Sequence, residues 1–465
     1  MKENRLKELF VNTFILGVSK LASPLLAFLL IPIYTSIVAP EQFGIVDIIQ
    51  TYATLLVPIV LLRLNIGLFR FTVDARKDEQ EIRRVFTNTL IIIIPMFVLS
   101  LVIIGIFGIF SLIPFSGVIL IYAITQLVEN IFDPLARGLG RNKLFTVTAL
   151  VSATVNILFG YVFVVILRLG AAGILLAGAS SSIVRITIIV LCVKAYKLID
   201  VRLSSKEVRK ELLKFSTPLI FEGASTWVIN MSDRTIITII LGLAANGIYA
   251  VSNKFSNIVG TATAIFWMAW SEMTAKYVGT DGYGKMLSNT FDVYLRLLFG
   301  GVGMFLAVIP IVWDSLIGSE YQSAFQFVPI LMTGSMISAM GAYFAPIYTA
   351  LKFSKRLLTS SVLGAVINVL LSFLLIPMIG LYGAAIATAF GYLVMFIYRY
   401  VDISKKEDVR IDWRFLFVAI SVFVVNLWLY YTGIVWINVI IATFVLLIYN
   451  RGLLKEVLVP RKERY

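Results

Sequence analysis

Apolar runs of eighteen or more residues recur from one end of this chain to the other, and few folds can accommodate them. Each run is long enough to cross a bilayer as a helix. The only other spanning structure, a closed β-barrel, needs strands that alternate oily and polar with period two, and these runs do not alternate. Only 14% of the residues are charged, against about a quarter in a soluble domain. The sequence therefore predicts an all-α polytopic membrane protein. Fourteen spans are predicted, at about 9–37, 43–69, 85–110, 113–136, 144–167, 170–194, 214–242, 246–275, 286–312, 324–351, 357–378, 380–400, 413–432 and 434–450. The charged start MKENRLKELF precedes an apolar stretch too long for a cleaved leader, so it reads as the entry to a retained first helix.

Charge orients the spans. The two termini and the even-numbered connections, with a residue or two of flanking helix, hold 33 of the 40 Lys and Arg residues, and the odd-numbered connections hold only Arg168. By the positive-inside rule both termini are expected in the cytoplasm. The same bias accounts for the net charge of +14 without a nucleic-acid partner, and it gives the cytoplasmic face an attraction for anionic lipid. With no histidine, a His-based catalytic base or metal site is excluded. Cys192 is the only cysteine, so no intramolecular disulfide forms; its apolar setting suggests a small buried hydrophobe.

The sequence reads as two copies of one pattern. VAPEQFGIV (38–46) and LGLAANGIY (241–249) each close a helix and open the next on a Gly-Ile pair, Gly44-Ile45 and Gly247-Ile248, at an offset of 203 residues. NILFGYVFVVILRLGAAG (156–173) and NVLLSFLLIPMIGLYG (368–383) share an Asn, an apolar run and a Gly-x-x-G turn, at an offset of 210. Helices 1–6 then pair with helices 7–12. Because six is even, the copies are parallel repeats about an axis along the membrane normal, with a cleft between the lobes. The expected divisions are 1–200 (helices 1–6), 201–402 (helices 7–12) and 403–465 (helices 13–14 and a cytoplasmic tail). The linker 195–213 is expected to be partly an amphipathic helix.

Six basic residues fall inside predicted spans: Lys20, Arg63, Arg185, Arg234, Lys254 and Arg296. A charge at the bilayer centre costs about 2.5–3.5 kcal/mol on insertion scales and survives where it faces protein or a wet cavity. On helix 7, Glu222, Thr226, Asn230 and Asp233 make one polar stripe with Arg234 at its edge, expected to face the interior. Arg63 and Arg70, seven apart, are expected on one face of helix 2. Asp233 with Arg234 or Lys254 could instead be a self-neutralising ion pair. Asp292 and Arg296 are spaced for a local pair, and Arg70 is read at headgroup level. Glu129 and Asp133 are placed to pair with Arg137 or Arg141. Arg185, after Ser180, Ser181 and Ser182, reads equally as a polar helix contact or a ligand. A cleft lined by cations favours an anionic substrate. The candidate substrate residues are Arg234, Lys254, Arg63, Lys20, Arg185 and Asn230, and those for ion coupling or charge balance are Asp233, Glu222 and Asp47.

The stretches SDRTIITIILGLAANGIYAVSNKF (232–255), GLYGAA (380–385) and SKLASPLLAFLLIPIYTSIVAPEQFGIVDIIQTY (19–52) resemble the polysaccharide-export flippases of the MOP superfamily, the Wzx type. The resemblance covers most of residues 10–400, and fourteen helices are also a property of the lipid II flippase branch. It implies a MATE-like fold and a polyprenyl-diphosphate-linked oligosaccharide as cargo, flipped to the outer leaflet of a bacterial plasma membrane. Capsule, O-antigen, exopolysaccharide or teichoic acid assembly is the implied setting, with a glycan polymerase and glycosyltransferases as possible partners. No bond changes, so no catalytic residue, metal or cofactor is expected. No Walker loop is present to run an ATP-driven exporter. A multidrug or cation antiporter on the same fold and a non-transporting scaffold of a glycan-assembly complex are the competing readings. The first would want a cleft dominated by carboxylates.

Overall fold

The computed structural model describes residues 28–109, 116–351 and 353–451, and the regular structure among them is helical throughout. Fifteen α-helices follow one another: α1 Ile31–Ile37, α2 Pro40–Val60, α3 Leu64–Asp74, α4 Glu79–Ile109, α5 Ser116–Gly138, α6 Asn142–Gly160, α7 Gly170–Val193, α8 Lys206–Leu241, α9 Leu243–Tyr277, α10 Tyr283–Leu316, α11 Val328–Ala350, α12 Ser354–Ile379, α13 Leu381–Glu407, α14 Trp413–Thr432 and α15 Val435–Tyr449. Ten spans among the described residues are long and apolar enough to cross a membrane, and the 15-residue α15 is apolar but shorter. α8 and α9, which correspond to predicted spans 7 and 8, are not among the ten. Polar residues such as Asp233, Arg234, Asn246, Ser252, Asn253 and Lys254 dilute their apolar runs.

These helices turn the usual burial pattern around. Ile239, Phe417 and Trp436 are each more than 70% exposed, while Asn88, Asn246 and Asn438 are fully buried. Lipid solvates the outside, and buried polar groups tie helices together. Cys192 belongs to the outside: it is exposed on α7, beside Leu191, which corrects its reading as a buried hydrophobe. An apolar thiol facing acyl chains satisfies the same preference that a protein core would.

The helices gather into two compact units, Met1–Thr238 with Gly242–Gly247, and Ile239–Leu241 with Ile248–Tyr465. The first has a core of Leu61, Leu64, Leu68, Phe86, Leu135 and Leu212, each 0% exposed. The start of α8 packs into this unit, where Gly67 admits Ser216. In the second, Phe266, Trp270, Tyr294, Tyr343 and Phe291 form a run of stacked and tilted rings. The Trp270 Nε1–H donates to the Tyr343 carbonyl at 2.9 Å and the Tyr343 hydroxyl to that of Leu287 at 2.7 Å, so their polar ends are satisfied.

One predicted span is broken. The sequence reading runs helix 2 unbroken from 43 to 69, but α2 ends at Val60 and α3 begins at Leu64. Pro58 removes a backbone donor, and Leu62 and Arg63 adopt φ of 48° and 56°. Bulky residues rarely enter that left-handed region. Arg63 and Arg70 therefore do not share the face of one continuous helix. α9, which the 203-residue offset aligns with this stretch, runs unbroken.

The second pair of matched turns shares one backbone feature. Gly170 and Gly380, 210 residues apart, both have positive φ, 54° and 61°. They stand at the starts of α7 and α13, where a side chain would be strained.

Candidate functional site

The two glycines that first suggested a repeat meet each other. A Cβ on Gly44 would strike the Leu243 carbonyl oxygen, and a Cβ on Gly247 would strike that of Pro40. Each glycine also lies against the other's backbone nitrogen. Residues 40 and 44 correspond to 243 and 247 at the offset of 203, so the contact is reciprocal. Reciprocity at constant offset is the mark of a local twofold relation between two helix starts. The backbones approach this closely because neither position carries a side chain.

A polar latch sits one turn below this crossing. Asp47, 5% exposed, follows Gly44 by three residues on α2. One of its carboxylate oxygens accepts from the Arg234 guanidinium on α8. The other accepts from Asn246 Nδ2 at 3.2 Å, and the same amide reaches the Gly44 carbonyl at 3.3 Å. Asn246 is 0% exposed. Taking two charges out of water is costly, and the cost is offset here because both carboxylate oxygens are hydrogen-bonded. At the 203-residue offset, Asp47, Asn246 and Arg234 correspond to Ala250, Phe43 and Ile31. The glycine crossing is symmetric, and the latch on it is not.

Below the latch, α8 lies along α2 through one helical face. Trp227 Nε1 donates to the Thr51 carbonyl at 2.9 Å, Met231 touches Thr51, and Thr235 shares a 3.2 Å hydrogen bond with Tyr52. The Tyr52 and Trp227 rings are 5.7 Å apart. Positions 227, 231, 234 and 235 have the spacing of a single face. The stripe of Glu222, Thr226, Asn230 and Asp233 lies roughly 130° round the helix from it. Arg234 thus belongs to the α2-facing side, not to the stripe. Asp233 is buried, and its Oδ1 accepts the Arg234 backbone N–H at 2.8 Å. Lys20 and the side chains of Glu222 and Asn230 lie outside the described residues.

The remaining candidates stand on other elements. Arg63 occupies the break between α2 and α3. Lys254 stands partly buried on α9 in the second unit. Arg185 on α7 grips two carboxylates of α5, Glu129 at 2.9 Å and Asp133 at 2.8 Å. Ser182 donates to the free oxygen of Glu129, and Gln126 donates to Ser182 at 3.1 Å. The acids are thus held by Arg185, while Arg137 rests over the Phe69 and Phe145 rings. Arg296 does not pair with Asp292; its guanidinium lies 4.3 Å from the centre of the Phe415 ring. Arg70 pairs with Asp74 at 2.7 Å in an exposed setting.

Sequence reasoning missed two groups. Asn246 carries no charge and so raised no signal. Arg399 was counted with the cytoplasmic flank of its span but is 6% exposed on α13. It donates to Ser360 Oγ at 2.9 Å, Ser361 Oγ at 2.8 Å and the Gly341 carbonyl at 3.0 Å.

The helical fold is the one seen in solved structures of MATE transporters and of a lipid II flippase. An inward-facing multidrug resistance MATE family transporter of the MOP superfamily superposes with a TM-score of 0.67 at 15% identity, covering 84% of this chain and 98% of that one. The lipid II flippase MurJ, in an inward closed conformation, gives 0.69 at 12% identity over 97% of this chain and 100% of that one. At such identities the likeness is one of fold. The profile of the polysaccharide biosynthesis protein family matches residues 9–271, more than half of the sequence, and the chain belongs to that family. An uncharacterized membrane protein of Methanocaldococcus jannaschii is 25% identical over 213 residues, 43% of this chain and 40% of that protein. The matches span less than half the length of the curated relatives.

Proposed function

We propose that this transporter flips a polyprenyl-diphosphate-linked oligosaccharide from the inner to the outer leaflet of a bacterial plasma membrane by alternating access. The observation that carries the proposal is membership of the polysaccharide biosynthesis family in a chain with a transporter fold. The full architecture under this proposal has fourteen spans. Two parallel-repeat lobes, 1–200 and 201–402, flank a cleft, helices 13 and 14 lie outside the repeat, and both termini are cytoplasmic. A diphosphate and several sugars cannot cross hydrocarbon unaided. An inside-negative potential favours outward movement of an anion by about 2.3 kcal/mol per charge per 100 mV.

In this reading Asp47 holds the place of the substrate. Arg234 is paired with a carboxylate from another helix, and an arriving diphosphate offers it the same oxygen geometry with more charge. When Arg234 exchanges partners, Asp47 keeps its Asn246 hydrogen bond and takes up a proton or cation in compensation. Lys254, Arg63 and Lys20 contribute further positive charge, and Asn230 contacts sugar hydroxyls. Glu222 and Asp233 are the secondary candidates for ion coupling. Arg185, already matched by two acids, holds α5 against α7.

The test is surface glycan in cells whose own flippase has been replaced by this one. Lys254→Ala, Arg63→Ala and the charge-neutral pair Arg234→Gln with Asp47→Asn should each abolish export at normal membrane abundance. Wild-type glycan levels from any of them remove that residue from the site. A scaffold recruiting a polymerase and glycosyltransferases would tolerate all three. The buried Asp47 and the partly buried Glu129 and Asp133 favour one second reading, a cation antiporter. It predicts drug sensitivity, with intact glycan, on deletion.

A further inference from the structure

The connection between α7 and α8 is a fixed strap with two unlike faces. It leaves the span Gly170–Val193 at Lys194, makes 3₁₀ turns over Ala195–Leu198 and Val201–Leu203, and enters α8 at Lys206. Its inner face is bolted to α4. The Thr87 hydroxyl bonds to the Leu198 carbonyl and accepts the Asp200 N–H. The Asn88 amide donates to the Leu203 carbonyl at 2.9 Å, and its oxygen accepts the Ser205 N–H at 2.9 Å. Ala195 and Leu198 enter the core of the first unit. With its backbone pinned in this way, the strap cannot turn its other side chains inward.

The outer face is apolar and basic together. Tyr196 is 57% exposed, Ile199 50% and Val201 70%. Lys194, Lys197, Arg202 and Lys206 are exposed among them. Two carboxylates stand against these four cations, Asp200, which caps the Arg202 N–H, and Glu207, which accepts from Ser205, so the segment stays net positive. A rigid strip with aliphatic and aromatic side chains between cations, leaving directly from a membrane span, matches an anionic bilayer surface in both hydrophobicity and charge.

We infer that the strap of residues 194–206 is an anionic-phospholipid anchor. Tyr196, Ile199 and Val201 enter the headgroup–acyl boundary of the adjoining leaflet, and Lys194, Lys197 and Arg202 bind anionic headgroups. The anchor fixes the depth at which the span at Gly170–Val193 ends. The inference is independent of what the transporter carries.

The test uses the full chain with Cys192→Ser, which removes the native thiol, and a spin label on Val201→Cys or, as a comparison, Ser204→Cys. Each is reconstituted in phosphatidylcholine vesicles with and without phosphatidylglycerol. In anionic vesicles the label at 201 should collide with oxygen and be shielded from an aqueous nickel chelate, while the label at 204 stays accessible. Substituting Lys194, Lys197 and Arg202 together with Gln should cut the ratio of shielded to accessible label at 201 by roughly fivefold per cation removed. Equal chelate access at 201 and 204 in anionic vesicles overturns the anchor. Equal shielding at 201 in neutral and anionic vesicles overturns the headgroup assignment. Anionic-lipid dependence that survives the triple substitution overturns the choice of cations.

Discussion

Arg234 in the first unit and Arg399 in the second are both buried guanidinium groups on long helices, and they are held in opposite ways. Arg234 has a carboxylate on α2 as partner, and that carboxylate is shared with a second donor. Arg399 has two hydroxyls of α12 and a carbonyl of α11. An ion pair has a second stable arrangement whenever another anion or a proton arrives, because either charge can be satisfied elsewhere. Neutral dipoles built into two helices offer no such exchange. The difference separates a position that can change state from a position that ties helices together.

The largest effect should come from breaking the pair on one side only. Arg234→Ala leaves Asp47 buried and uncompensated, a loss of about 3–5 kcal/mol, read as a lowered melting temperature of the purified protein. Combining Asp47→Asn with Arg234→Gln removes both charges and keeps a hydrogen bond, so most of the stability should return. Under the proposed function export should not return, because the cation assigned to the anionic head is gone. A double variant that folds and exports normally would make the latch purely structural.

Arg399 should behave in the reverse manner. Arg399→Ala leaves three acceptors without their donor and a void among three helices, for a loss of about 2–4 kcal/mol. Arg399→Met fills the space without burying a charge and should cost less. Export per folded molecule should stay at the wild-type level in both. A stable Arg399→Met protein that fails to export would place this residue in the moving machinery and erase the contrast.

The two arginines were not equally legible in the sequence. Arg234 stood out because it interrupts an apolar run, and hydropathy detects interruptions. Its Asp47 partner was not legible because helical periodicity orders residues around one helix but says nothing of the neighbour; α2 faces positions 227, 231, 234 and 235. Arg399 was assigned to a span end by its distance along the chain, although Ser360 and Ser361 were there to receive it. The helices themselves were easier, since α14 occupies the predicted 413–432. The break at Arg63 was not foreseen, because one proline inside an apolar run does not by itself stop a span. The close approach of Gly44 and Gly247 was signalled by the matched Gly-Ile pairs, while the latch, whose residues have no counterparts at the 203-residue offset, was not.

The glycine crossing gives a sharper test of that repeat. A methyl group at 44 meets the Leu243 carbonyl, and one at 247 meets that of Pro40, both rigid backbone. Gly44→Ala and Gly247→Ala should each cost about 1–3 kcal/mol through forced separation of the helix starts, and the two losses should agree. A tolerated substitution at one position beside a damaging one at the other would mean that the crossing is not a twofold contact.

The smallest effect is expected where charge is present without burial. Arg70 and Asp74 form a good 2.7 Å pair four residues apart, with side chains 56% and 59% exposed. Water and headgroups solvate both ions as well as they solvate each other, so Arg70→Ala should change stability by about 0.5 kcal/mol or less. It should leave surface glycan unchanged. Arg234 and Arg70 are the same side chain with the same kind of partner and lie in the same unit. If burial is what makes Arg234 consequential, the two alanine variants must differ several-fold in their cost. Comparable losses at both positions would mean that the charges act through the overall field of the chain rather than through the local latch.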